Sequence, residues 1–193
     1  MRTRRSLILL AAAAVVAALV IGILQSSGGD DGATGDVPSA AARNAALAGA
    51  PAPLAAVHRD ANALLDAGQF TARVKALHGY PIVVNVWGSW CVPCRAEFPV
   101  FERVSVKLGK RVAFLGVATQ DAEEAAGKFL KAHPVAFPSF LDFDGKIARQ
   151  DIGSIGTPST LFIDAKGKRA FLHQGPYYKD AELERDIERY AGA

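Results

Sequence analysis

The sequence predicts an α/β domain, a mixed β-sheet flanked by helices, preceded by one apolar N-terminal segment. Three observations predict it. From residue 54 onward, short β-rich apolar runs alternate with stretches of helical period. Two late strands are joined by Asp164-Ala165-Lys166-Gly167, a hairpin signal that adds antiparallel strands to a right-handed β-α-β crossover. Ahead of both, Leu7–Leu24 contains only Leu, Ile, Val, Ala and one Gly.

Along the chain, residues 1–6 form a basic tip carrying Arg2, Arg4 and Arg5. Residues 7–24 are apolar all round, and as a helix they would extend about 27 Å, close to a bilayer core. The arginines ahead of this run keep the tip cytoplasmic and send the rest across the membrane. The run is either a retained single-pass anchor or a cleaved signal segment. Its length favours the anchor, whereas the small pair Ser26 and Gly28 fits cleavage and would give a secreted protein. Residues 25–53 are Ser, Gly, Asp, Ala and Pro with few large side chains, and are expected to be a flexible linker. The folded domain is expected over 54–193.

Within it, Leu54, Val57, Ala61, Leu64 and Leu65 fall on one helical face, and Phe70, Val74 and Leu77 on a second. Ile82–Trp87 is an apolar run without alternation, which suits a strand covered on both faces. Cys94–Leu108 is a helix with Phe98, Phe101, Val104 and Leu108 inward and a kink expected at Pro99. Val112–Val117 is a second buried strand, and Ala122–Ala132 an amphipathic helix. A short strand near Phe140–Phe143 precedes the turn at Asp144-Gly145. Ser159–Ile163 and Ala170–His173 make the hairpin, and Asp180 is positioned to cap a last helix with Leu183, Ile187 and Tyr190 buried.

Composition narrows the function. The chain is 50% apolar and 21% charged, which excludes intrinsic disorder. A single long apolar run excludes a multi-pass membrane protein. The formal charge of +3 is wholly accounted for by Arg2, Arg4 and Arg5, so the domain is near neutral and offers no nucleic-acid surface.

Both cysteines lie in Trp90-Cys91-Val92-Pro93-Cys94, between a buried strand and a helix start. Unpaired N–H groups and the positive end of the helix dipole stabilise a thiolate there. Cys91 sits at the tip, expected to reach solvent; Cys94, one turn on, points inward within disulfide reach. A purely structural disulfide closing two residues would stabilise little. A zinc site needs more ligands, and the four histidines are at least 20 residues apart. Redox exchange therefore leads, and it needs no metal and no cofactor.

The stretch from Val84 to Pro99, with its W-C-x-P-C-R-x-E-x-P string, resembles the active site of thioredoxin-like proteins. It is most similar to the membrane-tethered, extracytoplasmic TlpA/ResA group of thiol-disulfide oxidoreductases. The resemblance runs from about Gly79 to Tyr190. It implies a thioredoxin-like sheet and a cis-proline loop at Gly156-Thr157-Pro158-Ser159-Thr160, although a plain trans turn also fits the residues. A cis bond there would leave the Thr157 backbone free to pair with an extended substrate. Trp90 and Pro93 would complete the substrate-binding wall, with simple packing the alternative for Trp90. Asn85 stands where cytoplasmic thioredoxins have a buried aspartate. The resemblance transfers that proton-handling role to an acidic residue after the second strand, here Asp121. The competing role for Asp121 is to N-cap the next helix in a capping box with Glu124.

The resemblance further implies a protein-disulfide reductase fed by a membrane thiol electron donor. Its candidate substrates are apocytochrome c thiols and the copper-site cysteines of an oxidase assembly factor. Three rivals remain open. A peroxiredoxin-type peroxidase would need a P-x-x-x-T-x-x-C loop, which does not surround Cys91. A thiol oxidase and a copper-binding chaperone using the two thiols as soft ligands are the others.

Overall fold

The computed structural model describes residues 36–193. The basic tip 1–6, the apolar segment 7–24 and the start of the expected linker lie outside the described residues. Among the described residues no helix is long and apolar enough to cross a membrane.

Among the described residues six α-helices and six strands follow one another: α1 (Ala40–Leu47), α2 (Ala52–Arg59), β1 (Leu64–Asp66), α3 (Phe70–Ala76), β2 (Ile82–Trp87), α4 (Val92–Leu108), β3 (Ala113–Thr119), α5 (Glu123–Ala132), β4 (Ser139–Asp142), β5 (Ser159–Ile163), β6 (Arg169–Gln174) and α6 (Asp180–Asp186). The strands form one sheet in the order β1-β4-β3-β2-β5-β6. β1, β4, β3 and β2 are parallel, β5 runs antiparallel to β2, and β6, antiparallel to β5, returns to the direction of the first four. The predicted mixed sheet is therefore present, with the hairpin at one edge.

β2 lies at the centre and every residue of it is buried, which is why its sequence lacks alternation. Side chains paired across neighbouring strands share a face. Trp87 contacts Phe98 of α4 at 5.1 Å and Phe129 of α5 at 4.8 Å between ring centroids. Both helices thus cover one face, as two right-handed crossovers stepping the same way require. The opposite face carries α3, where Phe70 meets Phe140 of β4 at 5.4 Å. It also carries a π-helical turn, Ile147–Ile152, whose first N–H groups are taken up by the buried Asp142 carboxylate.

Four sequence expectations are corrected. The linker does not extend to residue 53, because α1 folds within it. Ser39 caps this helix by accepting from the Ala42 N–H at 3.2 Å. Arg43 and Leu47, one turn apart, turn inward, and Arg43 Nε donates to Glu102 Oε1 of α4 at 2.8 Å. The domain accordingly starts before residue 54. Leu64 and Leu65 do not extend the helix before them; they form the edge strand β1, paired with Ser139 and Phe140. Asp180 does not cap α6, whose N-cap is Lys179. Its carboxylate instead takes two hydrogen bonds from the Arg103 guanidinium, at 2.8 and 2.7 Å. Finally, α4 begins at Val92 rather than Cys94.

Candidate active site

β2 ends at Trp87, and Gly88-Ser89-Trp90 carries the chain to the start of α4. A side chain at Gly88 would meet the Trp90 ring at 2.7 Å, so only glycine lets the indole fold back over the turn. Cys91 is the N-cap of α4, its N–H bonded to the Gly88 carbonyl at 3.0 Å. Its sulfur accepts from the Cys94 N–H at 3.2 Å, so a free donor of the first helical turn points at the sulfur. Pro93 stands in that first turn, where a missing N–H costs nothing.

Cys91 and Cys94 are joined in a disulfide, with their Cα atoms 5.3 Å apart. Cys94 is sealed, and Cys91 is 4% exposed. The helix tip is therefore more covered than the sequence suggests. Exposure lies instead on its neighbours, 55% at Trp90 and 78% at Val92.

Asp121 closes onto this turn. Its carboxylate accepts from the Ser89 N–H at 2.5 Å, the Ser89 hydroxyl at 2.8 Å and the Ala122 N–H at 2.9 Å. The expected capping box does not form: Ala122 is the N-cap of α5, and Glu124 reaches along the surface to Lys128 at 2.6 Å. A fixed turn before Cys91 is what Asp121 provides. Beside it, Gln120 has a left-handed backbone, φ 49°. Its carbonyl accepts from the Trp90 indole N–H at 3.1 Å, which pins the exposed ring.

The interior beneath the disulfide contains a group the sequence reading passed over. Glu97, one turn after Cys94, is completely buried. Oε1 accepts from the Asn85 side-chain amide at 2.8 Å and Oε2 from the Tyr177 N–H at 3.2 Å. Burial outweighs both bonds and pushes its pKa up to about 8. A signal for it exists in the sequence: position 97 lies between Cys94 and Phe101 on the inward stripe of α4, where a glutamate must be held by partners. On the adjoining flank, burial and the Arg95 charge both lower the pKa of His133.

The Thr157–Pro158 bond is cis. Pro158 is buried immediately before β5, and its carbonyl accepts from Gly175 N–H at 2.9 Å. Thr157 is half-buried and lines the same surface groove as Trp90. The structure thus gathers Trp90, Cys91, Pro93, Cys94 and Asp121 at one end of the central strands and brings Thr157 to the groove beside them. Among the described residues, no group of three or more His, Cys, Asp or Glu side chains is clustered as metal ligands would be.

A profile of the Redoxin family matches residues 47–187. The thiol:disulfide interchange protein DsbE of Pseudomonas fluorescens biotype C is 38% identical over 101 residues, covering 52% of this chain and 54% of its own. DsbE of Escherichia coli K12 is 32% identical over 151 residues, 76% of this chain and 77% of its own. The chain thus spans about half the length of the first relative and three quarters of the second. Among solved structures, DsbF of MTB in mixed oxidized and reduced forms aligns with a TM-score of 0.55 at 30% identity. That alignment covers 60% of this chain and 84% of the other.

Proposed function

The chain belongs to the redoxin family, in its TlpA/ResA/DsbE-type group of thiol-disulfide oxidoreductases, and we propose that it reduces disulfides of other proteins outside the cytoplasm. The observation that carries this reading is Cys91 capping α4 in a disulfide with Cys94. A nearly covered sulfur aligned with free helix N–H groups is stabilised as a thiolate, and a sealed partner one turn away is kept for the second step.

In the reduced protein the Cys91 thiolate attacks one sulfur of a substrate disulfide. That bond breaks, a mixed disulfide forms, and one substrate thiolate leaves. Cys94 then gives up its proton and attacks Cys91, releasing the second substrate thiolate. Two electrons pass to the substrate, and the protein is left with the Cys91–Cys94 bond. Glu97, one turn along the helix from Cys94, supports the second step, because with a pKa raised to about 8 its carboxylate, once formed, is basic enough to accept the Cys94 proton. Asp121 serves the first step by fixing the Ser89–Trp90 turn. Its oxygens are already engaged by three donors, which argues against a proton-transfer role.

Trp90, Pro93, Thr157 and Pro158 are the substrate-binding residues of this reading. Thr157 would offer its backbone to an extended segment of the partner. The apolar run 7–24 supplies the anchor, with the domain on the extracytoplasmic side and a membrane thiol carrier as electron donor. Apocytochrome c and copper-site cysteines are the candidate substrates.

A redox titration of the Cys91–Cys94 pair, run with an insulin-reduction assay, tests the reading. A reductant has a potential nearer about −270 mV than about −120 mV. A value at the oxidising end overturns the direction, and tight Cu(I) binding without insulin turnover overturns exchange altogether.

A further inference from the structure

A groove of about 540 Å³ runs away from the turn that carries Cys91. Trp90 forms one wall and the Gly153–Thr157 loop the other. Its size is within the range of sites that enclose a few side chains. The two walls present large apolar groups to solvent, Trp90 at 55% and Ile155 at 90% exposure. Trp90 is not a loose side chain, since its indole N–H is bonded to the Gln120 carbonyl. A pinned aromatic wall facing an open isoleucine will pack against a bulky apolar side chain but gains little from a small polar one.

Arg149 is the one charged residue lining this groove. Its guanidinium lies over Gly145, where even a Cβ would come within 2.3 Å of Nη1, and donates to the Asp144 carbonyl. The Asp144 carboxylate itself is paired with Lys146 at 2.6 Å. Among the described residues Arg149 therefore makes no ion pair, and its position is fixed by a backbone bond and a glycine that leaves room for it. An oriented, uncompensated guanidinium at the rim of an apolar groove complements a carboxylate.

Building on the exchange reading, we propose that this groove selects substrates by the sequence beside their reactive cysteine: a bulky apolar residue to lie between Trp90 and Ile155, and an acidic residue to reach Arg149. The partner is thus an extended, apolar and acidic segment of a protein carrying a disulfide. Arg149 and Ile155 are specificity residues, and neither touches the reacting sulfurs.

The test uses the full-length protein and three synthetic peptide disulfides of equal length, whose cysteine is flanked by Leu and Glu, Leu and Lys, or Ser and Glu. Second-order reduction rates are compared as ratios within each protein, so that overall changes in activity cancel. The Leu/Glu peptide should react about fivefold faster than Leu/Lys, and the gap should shrink at high salt. Arg149→Glu should invert that ratio, and Ile155→Ser should reduce the preference for Leu/Glu over Ser/Glu. Equal rates for the three peptides, or a ratio unmoved by Arg149→Glu, would overturn the groove assignment while leaving disulfide exchange intact. Failure to reduce any of the peptides overturns both.

Discussion

The side-chain amide of Asn85, in the middle of the central strand, donates to the carboxyl of Glu97 across 2.8 Å in the interior below the disulfide. The titratable group of this buried pair therefore lies on the helix and not on the strand. The strand supplies only an amide, which cannot titrate, and the helix supplies a carboxyl held near neutrality by burial. Glu97→Gln should keep the hydrogen bond from Asn85 and lose the titration. The resolving step, followed by single-turnover release of a mixed disulfide, should fall by roughly 10²-fold at high pH. Its inflection near pH 8 should vanish.

The same group makes stability depend on pH. The folded-state pKa of Glu97 lies above its ordinary value of 4.5, at about 8. Below the ordinary value both states hold the proton and burial of the neutral acid costs little. As pH rises toward 8 the unfolded chain ionises and the folded one does not, so stability falls across that window. Urea midpoints of the wild type should decline from pH 5 to pH 8, and those of Glu97→Gln should decline less.

Asp121 should separate cleanly from Glu97. Asp121→Ala leaves two donors on Ser89 and one on Ala122 without their acceptor, which should cost about 2 kcal/mol and slow attack by Cys91. The pH–rate curve should keep its shape. A lost inflection in this variant, with Glu97→Gln unaffected, would reverse the two assignments.

Cys94→Ser should accumulate a mixed disulfide with the natural partner, visible on non-reducing gels, and Cys91→Ser should accumulate none. Equal trapping by both would refute Cys91 as the attacking sulfur.

Arg43 and Glu102 form a buried pair joining α1 to the redox helix. Burial raises the Glu102 pKa and Arg43 opposes that rise. Arg43→Ala should destabilise the domain by about 3 kcal/mol, because a buried carboxylate is left alone. The double variant with Glu102→Gln should recover part of that loss. Hydrogen exchange over 40–47 should speed up in the single variant.

Most of the sheet was legible in the sequence, because β2, β3 and β5 are buried runs too apolar for any other use. What escaped did so for identifiable reasons. α1 has one large apolar residue, Leu47, and its docking depends on a charge pair with Glu102 that no hydrophobic pattern registers. β1 is three residues long, and its two leucines continue a helical spacing by coincidence. Glu97 belongs to a residue type normally found at the surface, and only its place on the inward stripe hints otherwise. Asp121 was found by resemblance, but its partner Ser89 sits 32 positions away, so the contact that defines its work is tertiary. Arg149 follows the π-helical turn's start, a geometry set by Asp142 rather than by periodicity.

The chain holds two tryptophans, and the fold separates them sharply: Trp87 is sealed among Phe98 and Phe129, and Trp90 stands open beside Cys91. Emission from the first should stay blue-shifted and insensitive to quenchers, and emission from the second should respond to whatever docks. The molecule carries its own optical gauge of partner arrival, one that needs no label and can be read in real time beside the chemistry.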